Sequence, residues 1–258
     1  GGVGVVAAAT APHQPSQRIA GMWHKVFAIW NELFETVVIY PEGPAPTGKF
    51  ILTTHPHGII PITGCLIWEA TRRLGYAAPE RFGGASAALH VPFFRQFLLH
   101  NGGVPAGRAA AARVLGAGQS YAVFSGGVTE MVLSKNMAEV LYVTKRSGVF
   151  SLAEAQGVAV VPLLAFGTTK HFGRWPDRDD TWLTRLSRAV KVSVLVPVGW
   201  MGLPVPKFHK VTLVVGPAID PREGGVEAAH GRWVEWYRAA YAEYQEAAGY
   251  GGRPLEIL

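Results

Sequence analysis

The segment Val158–Phe166 constrains the fold of this chain more than any other, because it contains no charged side chain. A continuous apolar run of this kind is typical of a strand buried on both faces of a parallel sheet. From Phe50 onward, further short apolar strands alternate with segments of helical periodicity. The sequence therefore predicts an α/β domain with a mainly parallel sheet covered by helices.

The composition favours a protein that handles lipids or faces a membrane. Apolar residues make up 49% of the 258 residues and charged residues 16%, whereas a soluble domain usually has about 25% charged residues. The net charge of +6 comes from scattered basic residues. This pattern argues against a nucleic-acid partner and favours an anionic membrane surface or a phosphorylated ligand. The single cysteine, Cys65, supports neither a disulfide framework nor a cysteine-based zinc site.

The N-terminal part of the chain differs in character from the rest. Gly1–Gln17 is rich in alanine and proline and is predicted to be poorly ordered, whereas Ile19–Val38 has apolar residues at helical spacing. Trp23, Lys25 and Trp30 suit a membrane interface, and a helix packed on the domain core is the alternative. The sequence contains no apolar stretch of about 20 residues that would span a membrane.

We divide the chain into residues 1–38, a disordered start followed by an amphipathic, membrane-associated helix, and residues 39–258, a single domain. Because the chain begins without a methionine, we expect further sequence upstream. Within the domain, Ala85–Leu89 is predicted to be a short strand. The polar segment His171–Arg188 is predicted to be a surface insertion, and Glu227–Ala248 an amphipathic helix.

The tetrapeptide His55-Pro56-His57-Gly58 follows the apolar strand Phe50–Thr54. Proline ends the strand because it lacks a backbone donor, and Gly58 permits a turn into a predicted helix, Ile59–Leu74. Histidine has an unperturbed pKa of roughly 6.5 and can act as a base near neutrality. The alternative is a turn that carries two solvated histidines.

Two further segments have the composition of ligand sites. Gly126 and Gly127 follow a strand and precede Glu130, and paired glycines expose backbone N–H groups to a ligand. The alternative is a structural turn with a solvated carboxylate. Arg146 lies shortly before the predicted helix Val149–Gln156, where an anion would meet a guanidinium and a positive dipole end together. The alternative there is an exposed basic turn.

These motifs form an ordered set from about Ile39 to the end of the sequence. In chain order they are His55-Pro56-His57-Gly58, Pro92-Phe93-Phe94-Arg95, Gly102-Gly103 with Arg108 beyond, Gly126-Gly127-x-x-Glu130, Arg146-x-Gly148-x-Phe150-x-x-Ala153, Val161-Pro162, Phe166-Gly167 and Gly216-Pro217-Ala218-Ile219. The set resembles the type-2 diacylglycerol acyltransferase family, which includes monoacylglycerol and wax-alcohol acyltransferases. The resemblance implies a glycerolipid-acyltransferase-like α/β fold, so that residues 39–258 would be an acyltransferase domain.

The resemblance also implies an activity: transfer of an acyl group from acyl-CoA to a lipid hydroxyl, with diacylglycerol as the expected acceptor and triacylglycerol as the product. Acyl-CoA is then a co-substrate, and no cofactor or metal is expected. The base would be His57, with His55 as an orienting or substrate-contacting partner, and the two roles could be reversed. Glu130 would hold the catalytic imidazole.

Other residues receive binding roles from the same resemblance. Backbone N–H groups near Gly126 and Gly127 are expected to bind the oxyanion, and Gly58 gives room for close approach. Arg146, and less directly Arg108, would meet the phosphates of coenzyme A. Glycerolipid acyltransferases often place an aspartate four residues after the histidine, but here Ile59 and Pro61 occupy those positions. Any carboxylate partner must therefore come from elsewhere in the chain.

The expected surroundings are a membrane surface, in the endoplasmic reticulum or alternatively a lipid droplet or plastid envelope. No nucleic-acid partner is expected. Alternative functions are acylation of a lysophospholipid, monoacylglycerol or fatty alcohol, and a non-catalytic lipid-binding module. A serine hydrolase is disfavoured because no Gly-x-Ser-x-Gly motif is present. The sequence leaves the acceptor, the acyl-chain length and the oligomeric state undetermined.

Overall fold

The computed structural model describes residues 16–40, 48–73, 78–86, 88–91, 94–176, 181–190, 196–203 and 205–258. The α-helices in this part of the chain are α1 (Gln17–Leu33), α2 (Thr63–Arg73), α3 (Phe94–His100), α4 (Arg108–Gly116), α5 (Gly127–Leu133), α6 (Gly148–Gln156), α7 (Trp182–Val190) and α8 (Gly225–Tyr244). The strands are β1 (Val37–Ile39), β2 (Phe50–His55), β3 (Arg81–Gly84), β4 (Gly103–Pro105), β5 (Tyr121–Val123), β6 (Glu139–Leu141), β7 (Ala159–Phe166), β8 (Gly173–Trp175), β9 (Val196–Val198), β10 (Thr212–Val215) and β11 (Leu255–Ile257).

Within the described residues, the main sheet has seven strands in the order β1-β10-β7-β2-β5-β3-β4. Its neighbouring strands are parallel except for β10, which runs antiparallel to β7. The prediction of an α/β fold with a mainly parallel sheet is therefore confirmed. Strand β2 lies at the centre, between β7 and β5, and its carboxyl end carries the two histidines. Two smaller ladders join β11 to β6 and β8 to β9.

The central strands are buried on both faces, as the apolar run in β7 predicts. Along β7, Val160 and Leu164 belong to one hydrophobic cluster, and Val161 and Leu163 belong to another. Successive side chains of a strand point to opposite faces, so each cluster covers one face of the sheet. Full burial of an aliphatic side chain contributes about 1.5–3 kcal/mol, and the sheet therefore forms a rigid platform for its carboxyl edge.

Helix α1 ends at Leu33, five residues before the predicted end at Val38. The apolar pattern continues past Leu33, but Val37–Ile39 pairs with β10 instead of extending the helix. Glu35 takes a positive φ of 44° at the point where the chain changes direction. Pairing with a distant strand, which periodicity does not reveal, decides where this helix ends.

The inner face of α1 packs on the rest of the protein. The ring of Trp23 meets Phe97 of α3 edge to face at 4.7 Å, and His24 meets Trp68 of α2 at 4.3 Å. The described residues contain no helix long and apolar enough to cross a bilayer. Most of the predicted disordered start lies outside the described residues, and the division of the chain at residue 38 stays a prediction.

Two element predictions are wrong. The strand expected at Ala85–Leu89 lies earlier, at Arg81–Gly84, and residues 88–90 form a 3₁₀ turn. Glycine weakens a strand, so the glycines of this segment disfavour a strand prediction. In the structure, glycine is required at position 83 because a Cβ there would overlap the hydroxyl of Tyr121 on the neighbouring strand. The segment expected as a surface insertion at 171–188 contains part of the fold, namely β8, which pairs with β9, and α7.

His171, at the start of this segment, is fully buried, and its Nδ1–H donates to the carbonyl oxygen of Lys207 at 2.6 Å. Burial lowers its pKa to about 4, against the opposing effect of that hydrogen bond. The unfolded chain accepts a proton near pH 6.5, whereas the folded chain does not until about pH 4. Above pH 6.5 the imidazole is neutral in both the folded and the unfolded chain, so the free energy of unfolding does not depend on it. As the pH falls from 6.5 toward 4, only the unfolded chain binds the proton, and the free energy of unfolding decreases.

We expect the free energy of unfolding to decrease by up to roughly 3 kcal/mol between pH 7 and pH 4 because of His171. Asparagine can donate from nearly the position of Nδ1 but does not titrate, so His171→Asn should remove this part of the acid sensitivity. Urea unfolding at both pH values measures the difference. His90→Asn, which replaces an exposed imidazole, is the control, and an equal effect of both substitutions would contradict the assignment.

Candidate active site

The register of the sheet brings the two glycine-flanked motifs together. Thr53 of β2 pairs with Val123 of β5, and the strands are parallel. Two residues further along each strand, His55 and Ser125 therefore lie side by side at the carboxyl edge of the sheet. In open α/β sheets, ligands bind outside the carboxyl ends of the strands. This edge is the candidate active site.

His55 is fully buried and both of its ring nitrogens are hydrogen-bonded. Nδ1 lies 2.6 Å from Oε2 of Glu130, and Nε2 lies 2.6 Å from Oγ of Ser125. A carboxylate can only accept, so the proton of the neutral ring belongs on Nδ1. Nε2 is then the acceptor, and the hydroxyl of Ser125 donates to it.

Glu130 lies in α5 and is 1% exposed. Its oxygens accept hydrogen bonds from the Nδ1–H of His55, the backbone N–H of Tyr142 at 2.8 Å and the backbone N–H of His57. Burial alone would raise the pKa of Glu130, but the adjacent His55 and the two backbone donors outweigh burial and lower it. The carboxylate is therefore ionised at neutral pH and fixes the tautomer of His55.

The expected contact between Glu130 and the imidazole of His57 is not observed. The carboxylate holds the ring of His55 and receives only the backbone N–H of His57. Strand β2 ends at His55, which therefore keeps the direction of an inward-facing strand residue, while His57 lies beyond the turn. The alternative of a solvated Glu130 is wrong as well.

His57 is half-buried and its ring packs edge-on against Phe124, at a centroid distance of 5.0 Å. Its Nδ1–H donates to the carbonyl oxygen of Gly58 at 2.8 Å. Burial lowers the pKa of His57, although Gly58 and Glu130 act in the opposite direction. The ring is therefore neutral at pH 7, and its Nε2 is unprotonated.

The glycines of the two motifs have different roles. Gly58 and Gly127 take positive φ angles of 64° and 57°, which favour glycine. Gly126 has an ordinary φ, but a Cβ there would overlap the carboxyl group of Glu130. The backbone N–H of Gly127, one of the expected oxyanion donors, already donates to the carbonyl oxygen of Phe124 at 3.1 Å.

The two predicted phosphate-binding arginines lie in different places. Arg146 donates to the carbonyl oxygen of Gly126 at 2.9 Å, and its guanidinium lies 4.7 Å from the centre of the Tyr142 ring. It therefore borders the site. Arg108 is exposed at the start of α4 and donates to the carbonyl oxygen of Ser151 in α6 at 3.3 Å, so it has no contact with the histidine–glutamate group.

An aromatic wall from α8 lies behind His55. Trp233 and Tyr237 are fully buried, and their rings meet the imidazole edge-on at centroid distances of 5.5 and 5.2 Å. The Trp233 Nε1–H donates to Oγ1 of Thr53 at 2.9 Å, and the Tyr237 hydroxyl donates to the Thr53 carbonyl oxygen at 3.0 Å. The polar atoms of both side chains therefore donate to Thr53 and not to His55, and the imidazole faces apolar ring surface.

Sequence reasoning missed Ser125, the aromatic wall and the Tyr142 donor. Ser125 lies two residues beyond the end of strand β5, and the histidine motif begins at the last residue of β2. This shared position near a strand end was the available signal. Using it requires the knowledge that β2 and β5 are parallel neighbours, which is a property of the sheet order.

Comparisons with known proteins identify relatives of this chain. A family model described as diacylglycerol acyltransferase matches residues 12–251. The chain is similar to diacylglycerol O-acyltransferase 2-like protein 6 of Mus musculus, at 24% identity over 89% of this chain and 76% of that protein. It is also similar to 2-acylglycerol O-acyltransferase 1 of Bos taurus, at 23% identity with 92% and 78% coverage. Acyl-CoA wax alcohol acyltransferase 2 of Mus musculus is 25% identical, with 85% and 73% coverage.

Among solved structures, the 1-acyl-sn-glycerophosphate acyltransferase of Thermotoga maritima has a similar fold. The TM-score is 0.58 at 18% sequence identity, and the match covers 94% of this chain and 88% of that one. At this level of identity the likeness concerns the fold alone.

Proposed function

Because the chain belongs to the diacylglycerol acyltransferase family, we propose that the site around His55 transfers an acyl group from acyl-CoA to a lipid hydroxyl, with diacylglycerol as the acceptor. The observation that carries this proposal is the buried pair of His55 and Glu130 at the carboxyl edge of the sheet. Acyl transfer needs a base to take the proton of an attacking hydroxyl. An imidazole oriented by an ionised carboxylate can supply one.

The geometry favours His55 as this base, which reverses the roles expected from the sequence. Glu130 orients the His55 ring and stabilises the cation that forms when Nε2 takes a proton, as the carboxylate does in hydrolase triads. The reaction does not require a strong general acid, because the thiolate of coenzyme A is a good leaving group. His57, with Nε2 unprotonated and its ring partly exposed, is proposed to contact the substrate.

A panel of acceptors tests the function. The full chain is incubated in detergent micelles with palmitoyl-CoA and, in turn, dioleoylglycerol, monooleoylglycerol, hexadecanol and lysophosphatidate, and both free thiol and ester product are measured. We expect triacylglycerol to form fastest. Faster esterification of lysophosphatidate would indicate a lysophospholipid acyltransferase. The absence of any ester product would indicate a non-catalytic lipid-binding module.

Arg146 is proposed to bind phosphates of acyl-CoA. It lies beside the Gly126 turn and is half-buried, so part of its side chain remains accessible. A hydrogen bond to a charged group contributes about 1.5–3 kcal/mol. Arg146→Ala should therefore raise the KM for acyl-CoA roughly tenfold or more and leave the KM for diacylglycerol nearly unchanged.

Lysine at position 146 should restore the acyl-CoA KM in part, because it keeps the charge but lacks the bidentate fork. Arg238→Ala, which removes an exposed guanidinium from α8, serves as the matched control. An unchanged acyl-CoA KM in Arg146→Ala would show that Arg146 only supports the turn.

Helix α1 is proposed to lie on a membrane surface through its outer face. Met22, Ile29 and Leu33 are each more than half exposed, and Ile19 is exposed as well. These four residues share one side of the helix, adjacent to the aromatic face that packs on α2 and α3. Together with the net positive charge, such a stripe suits an interfacial helix on anionic lipid. The compartment, expected to be the endoplasmic reticulum membrane, stays a prediction.

Placing charges in this stripe tests the contact. The double substitution Met22→Glu and Ile29→Glu should reduce binding to liposomes with anionic lipid roughly tenfold or more, since about half of each apolar side chain is exposed and full burial of such a side chain contributes about 1.5–3 kcal/mol. Met137→Glu, at an 80% exposed methionine elsewhere, is the control. Flotation equal to that of the unmodified chain would place the contact on another surface, such as the exposed tryptophans Trp175, Trp182 and Trp200.

A further inference from the structure

Ser125 completes a chain of three hydrogen-bonded side chains that the proposed mechanism leaves unused. Its Oγ lies 2.6 Å from Nε2 of His55, whose Nδ1 lies 2.6 Å from Oε2 of Glu130. A hydroxyl next to a base that a third group orients is the arrangement of an activated nucleophile. The two short contacts and the burial of the His55–Glu130 pair show that this arrangement is built into the fold.

Access to the base decides how it can be used. His55 has no exposed surface, and Ser125 occupies its Nε2. Ser125 is itself partly exposed, so a substrate meets the serine oxygen before it can meet the imidazole. A lipid hydroxyl would have to displace Ser125 before His55 could deprotonate it directly.

We propose that Ser125 is a nucleophile that carries the acyl group between acyl-CoA and the lipid acceptor. This inference rests on the proposed acyltransferase function and adds a covalent intermediate to it. A search for Gly-x-Ser-x-Gly misses this serine, because Gly127 fills the second glycine position but Val123 stands at the first.

The first half of the reaction forms the acyl-serine. As the Oγ of Ser125 bonds to the thioester carbonyl carbon, its proton passes to Nε2 of His55. The carbon–sulfur bond then breaks, and the leaving thiolate takes the proton from Nε2, so that an ester on Ser125 and free coenzyme A remain. Glu130 stabilises the transient imidazolium.

The second half regenerates the serine. The acceptor hydroxyl gives its proton to Nε2 of His55 as its oxygen attacks the ester carbonyl carbon. The bond from that carbon to Oγ breaks, and Oγ recovers the proton from Nε2. The products are the lipid ester and free Ser125, and no other reactant is consumed.

The test separates acylation from transfer. The full chain, at micromolar concentration, is mixed rapidly with palmitoyl-CoA in micelles without an acceptor, and thiol release and the intact mass are followed. We expect a burst of about one thiol per protein and a covalent acyl group that peptide mass spectrometry places on Ser125. Dioleoylglycerol added afterwards should discharge the adduct at least as fast as steady-state turnover.

Variants distinguish a nucleophile from a supporting residue. Ser125→Ala should form no adduct and lose roughly 10²-fold or more of turnover, while Ser125→Cys should still form an adduct, now a thioester cleaved by neutral hydroxylamine. Ser134→Ala, at a half-buried serine near the end of α5, is the matched control and should behave like the unmodified chain.

Three outcomes would overturn the inference. Triacylglycerol formation without burst or adduct would overturn it and leave the proposed function intact. Full turnover by Ser125→Ala would also overturn the inference and leave the proposed function intact. If Ser125→Ala loses turnover but the unmodified chain forms no adduct, the inference is overturned as well, and Ser125 acts as a proton relay. An adduct on Ser125 with no ester from any acceptor would support the covalent step and overturn the proposed function instead.

Discussion

His55→Gln should lower acyl transfer by roughly 10²–10⁴-fold, the range expected when a general base is lost. Glutamine has a similar size and keeps a polar group near the buried carboxylate of Glu130, but it has no basic nitrogen. Alanine would leave Glu130 buried without its partner, a change that costs several kcal/mol of stability, so glutamine is the cleaner substitution. Initial rates with palmitoyl-CoA and dioleoylglycerol, measured beside the thermal unfolding midpoint, give the result.

His57→Gln is the matched comparison for this prediction. It removes the neighbouring imidazole, whose side chain makes no contact with the carboxylate, and it should raise a KM more than it lowers kcat. The opposite ranking, with His57→Gln nearly inactive and His55→Gln nearly unaffected in folded protein, would restore the assignment expected from the sequence and contradict the one based on geometry.

Trp233→Ala should have the largest effect on stability, with a loss of about 3–5 kcal/mol in the free energy of unfolding. Trp233 is fully buried in the larger of the two core clusters, and its ring packs against His55, Tyr237 and Phe150. Its removal leaves a cavity and takes away the donor to Thr53. Equilibrium unfolding in urea at neutral pH measures the loss.

Trp175→Ala is the control for this cavity. Its side chain is 60% exposed, so removal should change the free energy of unfolding by about 0.5 kcal/mol or less. Trp233→Phe keeps part of the ring packing and should lie between the two. A loss below about 1 kcal/mol for Trp233→Ala would show that the wall behind His55 is not an integral part of the core.

The sequence predicts those parts of the fold that depend on local composition. The apolar run of β7 identifies a strand buried on both faces, and helix α6 ends as predicted because Gly157 adopts the left-handed conformation at its C-cap. The end of α1 is not predictable in this way. The apolar pattern continues into Val37–Ile39, and a strand 175 residues later determines that this segment becomes β1.

The same distinction applies to the candidate site. The motifs that contain His55 and Glu130 are visible in the sequence, because proline and glycine mark the turns where they lie. Which of two histidines in one turn meets the carboxylate depends on side-chain direction at a strand end. The contact of Ser125 with His55 depends on the register between β2 and β5, and neither property has a local signal.

The ladder between β6 and β11 links the site to the order in which the chain is synthesised. Strand β6 leads directly to Tyr142, whose N–H donates to Glu130, and β6 is held by β11 and by an ion pair between Glu139 and Arg253, which are 114 residues apart in sequence. A nascent chain that has not yet emerged beyond Ile257 lacks this support. The carboxylate that holds His55 is therefore fully supported only once the chain has been synthesised beyond Ile257.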